Sequence, residues 1–249
     1  MEENLIAYFD LLGYKQFIEN NEEELTALRV GHILRDIESS LSLRKTKPIN
    51  PGKVIPDLEH SKVNCLNISD TIILWTNNYS DDSTENFLDV CFNLNFMLNK
   101  YTFPCRGVLM SDKFQMISGK EHNSSGFSYS PNIMYGRGLL NAHVKSESFN
   151  LASTVIDKSF VEKFAGNFKV IEKIESLALK YLVPYKETYD DQELEYVLKF
   201  STGNINQTYF DNVKKEIVHN FHKDNKRVSA SVQEKINNTI DFLNHHPWE

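Results

Sequence analysis

An unbroken apolar run, Leu5-Ile6-Ala7-Tyr8-Phe9, opens the chain and stops at Asp10, with Gly13 three positions further on. So short a run, closed by an aspartate and a glycine, predicts a buried strand over 4–9. A second apolar run, Thr71 to Trp75, follows Ser69 and Asp70. Residues 62–68 and 71–77 therefore predict a hairpin with Asp70 at its tip. The first strand and this hairpin can lie side by side, which brings Asp10 and Asp70 to one edge of a sheet.

The remaining elements follow from periodicity. Val30, Ile33, Leu34, Ile37 and Leu41 recur at helical spacing and predict an amphipathic helix over 22–44. The segment KTKPINPGKVIPDLEH carries three prolines and a glycine, the composition of an exposed loop. SDDSTE starts a second helix whose apolar face is Phe87, Leu88, Cys91, Leu94 and Leu98, ending near Tyr101. Residues 103–110, FPCRGVLM, predict a strand, SGKEHNSSGFSYSPN a loop, and 135–149 a third helix. Beyond 150 the signals thin out. Short strands are expected near 153–156, 168–173 and 195–200, and Ser231 with Glu234 predicts a capping box for a last helix through His245. The order strand, helix, hairpin, helix, strand, helix implies an α/β sandwich, a mixed sheet with helices packed mainly on one face. We read residues 1–200 as the body of this domain and 201–249 as a helical C-terminal extension of it.

The formal net charge of -7 argues against a non-specific nucleic-acid binder, which needs surplus Lys and Arg to displace counterions. It leaves a single triphosphate ligand open, because a few local cations can neutralise it. No segment approaches the roughly 18 uninterrupted apolar residues of a membrane span. The start MEENLIAYFD lacks the basic flank and cleavage site of a signal peptide, so no membrane partner and a cytoplasmic location are expected. Cys65, Cys91 and Cys105 contain no CxxC pair and are expected to be buried reduced thiols. His143 is expected to pack or to face solvent. His245 and His246 diverge by about 100° on a helix and make no metal pair.

Asp10 alone reads as a helix N-cap and Asp70 alone as a turn residue. Together at strand ends they are two hard oxygen donors of the kind that hold divalent ions against a triphosphate.

FDLLGYK after the first strand, ISDTIILW in the hairpin, CRGVLM in the third predicted strand and GRGLLNAHVKSE in the following helix form one ordered set. Over about residues 4–150 this set resembles the class III nucleotidyl cyclases, and among them the bacterial pyrimidine cyclases of antiphage (Pycsar) signalling. The resemblance implies that Asp10 and Asp70, with the Leu11 carbonyl, bind two Mg²⁺ or Mn²⁺ ions. It implies that Phe9, Leu12, Gly13 and Tyr14 line the substrate site, the last three through N–H groups aimed at the β- and γ-phosphates, and that Arg106 pairs with a phosphate. Asn141 falls where the family orients the ribose or transition state, and Lys145 where it commonly has an arginine. Tyr135 and Asn132 lie near the expected base pocket. The implied reaction converts a pyrimidine nucleoside triphosphate, UTP first and CTP next, to the cyclic monophosphate and pyrophosphate. A homodimer would share its sites, and the product would act on a separate effector in antiviral defence.

Three positions depart from the pattern. Lys145 is a point charge without the arginine fork. Gly136 and Gly138 precede Asn141 by five and three residues, where the family glycine usually stands four before it. Leu66 stands where many purine cyclases carry a polar base-reading residue, which favours a pyrimidine. The alternatives are a catalytically silent cyclase-like nucleotide-binding or regulatory module and a purine cyclase. A diguanylate cyclase is disfavoured by the lack of GG[DE]EF around Asp70, and a polymerase-type palm shares only the two-metal logic.

Overall fold

The computed structural model describes residues 2–119, 121–122, 128–129, 131–186, 194–201 and 206–245. In chain order the elements are β1 (Glu3–Leu11), α1 (Tyr14–Asn20), α2 (Glu23–Leu41), β2 (Thr46–Asn50), β3 (Lys53–Pro56), β4 (Asn64–Ile68), β5 (Thr71–Thr76) and α3 (Asp81–Met97). A π-helical turn (Leu98–Thr102) extends α3, followed by β6 (Cys105–Lys113), β7 (Gln115–Ser118), β8 (Glu121–His122), β9 (Ser128–Tyr129) and β10 (Asn132–Tyr135). Then come α4 (Arg137–Ser148), β11 (Thr154–Ile156), α5 (Lys158–Lys163), α6 (Phe168–Leu177), β12 (Ala178–Leu182), β13 (Leu194–Leu198), α7 (Gln207–His222) and α8 (Ala230–Asn244).

Seven strands form one sheet in the order β12-β13-β11-β6-β1-β5-β4, antiparallel at every step except the parallel β11–β6 pair. The run that opens the chain lies inside this sheet, between β5 and β6. Strand alternation divides its side chains. Leu5, Ala7, Phe9 and Leu11 join one core cluster with Phe17, Ile33, Phe87, Phe160 and Ile174, so α1, α2, α3, α5 and α6 cover that face. Ile6 and Tyr8 join a second cluster with Ala142 of α4, with Phe210, Val213 and Ile217 of α7, and with Ile236 and Phe242 of α8.

The mixed sheet with its main helical layer is the expected sandwich, and α4 with the two C-terminal helices adds cover on the second face. The reason is in β1 itself, whose residues of both parities are apolar and need cover on both sides.

Other expectations change locally. The proline-rich segment forms the β2–β3 ribbon rather than a plain loop, β8 and β9 lie within the segment expected as a loop, and β10 runs from its last residue to Tyr135, so that α4 starts at Arg137. Residues 168–173 are helical: Asn167 caps Val170 N–H, and Val170, Ile174 and Leu177 are buried at helical spacing. On α2, Val30 and Leu34 are exposed, while Arg29, Asp36 and Ser40 are buried beside Ile33, Ile37 and Leu41. The cap of α8 is Ser229, whose side chain accepts from Val232 N–H, and Glu234 instead accepts from Asn150. All three cysteines are free, Cys91 and Cys105 buried and Cys65 half-buried. His245 packs on Tyr181, and His246 lies outside the described residues.

Candidate active site

The site starts from the register of β1. Asp10 pairs across with Thr71 on β5 and with Arg106 on β6. Leu11 N–H donates to the Asp70 carbonyl at 2.9 Å, which ties the hairpin turn to the end of β1. Ser69 in that turn has φ 56°, and Asp70 follows it into the site. Both aspartates line one cleft of 410 Å³, as the hairpin reading requires.

Arg106 donates to Asp10 Oδ2 from Nε at 2.9 Å and from Nη2 at 2.8 Å, and also pairs with Glu147 near the end of α4. Its expected phosphate contact is therefore replaced, in the protein alone, by two carboxylates. Leu12 lines the cleft, but its N–H donates to the Pro104 carbonyl at 2.8 Å and is already committed. Gly13 adopts φ 82°, a conformation that favours glycine, and turns the chain into α1. The first bond within α1 runs from Phe17 N–H to the Gly13 carbonyl, so the N–H groups of Tyr14, Lys15 and Gln16 have no acceptor inside the helix. Phe9 is fully buried in the core, so its side chain cannot touch a substrate.

Asn141 and Lys145 lie on α4, which Gly138 allows to approach β1: a Cβ there would stand 2.5 Å from Ile6 Cδ1. Asn141 is exposed and donates to Asp112 at 2.8 Å, at the opposite end of β6 from Arg106. Lys145 is committed elsewhere. Its ammonium pairs with Asp157 at 2.5 Å and with Glu195, which also accepts from Tyr185. Burial works against its charge, but the two carboxylates outweigh burial and hold its pKa above the ordinary value. The expected phosphate role of Lys145 would require breaking this cluster.

A second, more apolar pocket of 570 Å³ adjoins the first, lined by Tyr8, Thr71, Met134, Tyr135, Leu139 and His143 among others. Asp70 lines both. Tyr135 lies there and donates to Gln115 at 2.8 Å, whereas Asn132 is exposed on β10. His143 Nδ1 lies 3.0 Å from Tyr8 Oη. Burial chiefly raises the Tyr8 pKa, and Asp10 and Asp70 add to the shift.

Among the described residues no three His, Cys, Asp or Glu side chains gather as a metal cluster. The donors that fit a divalent ion are the two aspartates, hard oxygen ligands in a cleft. A Mg²⁺-like ion bound there would complete its shell from water, backbone or substrate oxygens.

Much of the cleft wall is not foreseen from the sequence. Lys15, Gln16, Glu147, Lys186, Phe221, Lys226, Arg227, Val232 and Lys235 also line it. The available signal is the Lys226-Arg227 pair between two tail helices, with nothing in the sequence to connect it to Gly13. No helix of the described residues is long and apolar enough to cross a membrane.

No protein-family model and no curated protein matches the chain. Solved structures do. The catalytic core of a rhodopsin-guanylyl cyclase with converted specificity, in complex with ATPαS, has a TM-score of 0.52 at 9% identity, covering 79% of this chain and 95% of that one. The non-canonical dimeric guanylyl cyclase domain of the RhoGC fusion protein from the aquatic fungus Blastocladiella emersonii has a TM-score of 0.51 at 10% identity, covering 80% and 96%. At such identity the likeness is one of fold: the chain has the fold of the class III nucleotidyl cyclase catalytic domains.

Proposed function

We propose that the protein is a nucleotidyl cyclase that converts a pyrimidine nucleoside triphosphate, UTP before CTP, to its 3′,5′-cyclic monophosphate and pyrophosphate. The observation that carries the reading is the position of Asp70 at the seam of two chambers, one lined with cations and one largely apolar. A nucleotide divides in the same way, into polyphosphate and base. The pyrimidine preference rests on the resemblance alone: Leu66 is half-buried against the apolar cluster and lines neither chamber.

In this reaction the ribose 3′-hydroxyl gives up its proton to water, its oxygen bonds to the α-phosphorus, the bond from that phosphorus to the bridging oxygen breaks, and pyrophosphate leaves with the electron pair. Asp10 and Asp70 would hold two Mg²⁺ or Mn²⁺ ions, which when bound acidify the hydroxyl and neutralise the phosphates. Arg106 exchanges Glu147 for a phosphate oxygen and stabilises charge as it develops. The first turn of α1 offers N–H groups to the same end of the substrate.

The proposed active form is a homodimer. Leu140 and Val144 on α4, with Ile117 and Ile133 on the adjoining ribbon, are exposed and apolar, and Asn141 lies beside them. A second copy on this face would bring its Asn141 toward the aspartates of the first. The product would be read by a separate effector, a role that rests on the Pycsar resemblance.

Incubation with Mn²⁺ and each of four nucleoside triphosphates, with products identified by mass spectrometry, tests the activity. Cyclic UMP or cyclic CMP is expected. Release of no pyrophosphate from any nucleotide would leave a binding module, a reading favoured by the Arg106–Asp10 pair, which engages a carboxylate that the cyclase reading gives to metal.

A further inference from the structure

The tail segment between α7 and α8 is fastened along α1, from its C-terminal end at Asn20 and Asn21 back to its start at Gly13 and Gln16. Asn20 donates to the Asn225 carbonyl at 2.9 Å, Asn21 to the Asp224 carbonyl at 2.7 Å, and Asn225 back to Asn21 Oδ1 at 2.8 Å. Beneath them Arg29 and Asp224 form a buried ion pair at 2.9 Å. Asp224 and Asn225 hold φ of 61° and 55°, left-handed values that this network maintains. Arg227 N–H donates to Gln16 Oε1 at 2.8 Å. The Lys226 stem crosses Gly13, where a Cβ would stand 3.1 Å from its Cδ, and its ammonium donates to the Asn220 carbonyl at 2.7 Å above the Phe103 ring.

We propose that this segment and the start of α8 form a polyphosphate-binding arm, in which Lys226, Arg227 and Lys235 hold the β- and γ-phosphates of the substrate. The arm rests on the cyclase reading for its substrate and on the cleft for its chemistry. Six basic residues line the cleft against three acidic ones, in a chain whose net charge is -7. Their charges are compensated only in part, and the Lys226 ammonium would exchange the Asn220 carbonyl for a phosphate oxygen. Burial lowers the pKa of Lys235 and of Lys186, and the nearby positive charge of Arg106 lowers both further. Burial brings Lys226 down to about 7, with Asp224 opposing and Arg29 and Lys223 adding to the shift. A bound polyanion relieves all three.

The test is calorimetric binding of inorganic tripolyphosphate to the full chain in EDTA, which removes any ion bridging it to Asp10 and Asp70. Wild-type protein is expected to bind, and Lys226→Met and Lys235→Ala each to weaken binding about tenfold. Lys235→Ala, at a less buried position, carries the test if Lys226→Met does not fold. Absence of wild-type binding, or unchanged affinity in the folded variants, overturns the arm. If tripolyphosphate binds as expected but no nucleotide is cyclised, the arm stands and the cyclase reading falls. If nucleotides are cyclised with an unchanged KM in both variants, the reverse holds.

Discussion

Two ion clusters flank the second half of α4, each with one cation between two carboxylates. Arg106 lies between Asp10 and Glu147, and Lys145 between Asp157 and Glu195. They differ in what an exchange of partner would cost. Glu147 is 48% exposed and can return to water, whereas Glu195 is 8% exposed and also accepts from Tyr185. An exposed carboxylate contributes little to stability, while a buried ion left without its partner is strongly destabilising. Similar residue types therefore leave a change of partner less costly at Arg106 than at Lys145.

This contrast is tested most severely at the cleft and at Lys145. Asp70→Asn is expected to lower cyclisation about a thousandfold or more with the melting temperature nearly unchanged, measured by product formation and thermal unfolding. An active Asp70→Asn protein would remove the metal role. Lys145→Ala should do the opposite, destabilising the fold by about 3 kcal/mol in urea titration because it leaves Asp157 and Glu195 uncompensated. A variant with wild-type stability and no activity would return Lys145 to the reaction.

A more moderate effect is in pH. Lys226 titrates at about 7 in the fold against an ordinary 10.5. A bound anion favours the charged form and raises that pKa, so binding takes up a proton between the two values. Tripolyphosphate affinity should fall as pH rises above 7, by at most about tenfold per unit. Among the charged groups around this ammonium, Asp224 raises its pKa and Arg29 and Lys223 lower it, so they set where the fall begins rather than its slope. A flat profile, or one equal to that of Lys226→Met, would deny Lys226 this part. The mildest change is Glu147→Gln, which removes one of the two carboxylates on Arg106 and should lower KM about twofold, within the range of an exposed pair. A rise in KM would make Glu147 part of the substrate site.

Much of the fold is legible because short apolar runs leave few options. The strands at 4–9, 71–77 and 195–200 can be read from such runs, and the α3 face from Phe87 to Leu98 is buried as its spacing implies. Residues 168–173 mislead because Phe168, Val170 and Ile171 make too brief a pattern to separate the two periods, and only the burial of Ile174 and Leu177 extends it into a helix. The motif that singles out Lys145 contains nothing about Asp157 or Glu195.

Local turn chemistry and apolar runs, read within a few residues, are enough to set one aspartate at the end of the first strand and another at the tip of a hairpin, although β1 runs one residue past Asp10 to Leu11. Which cations meet those aspartates is a matter of packing between distant segments. Lys226 and Gly13 are neighbours through hydrogen bonds between Asn20, Asn21 and the α7–α8 segment. Such contacts depend on chain closure over about two hundred residues, whose entropy is recovered only when the whole core has formed, and no local pattern encodes them.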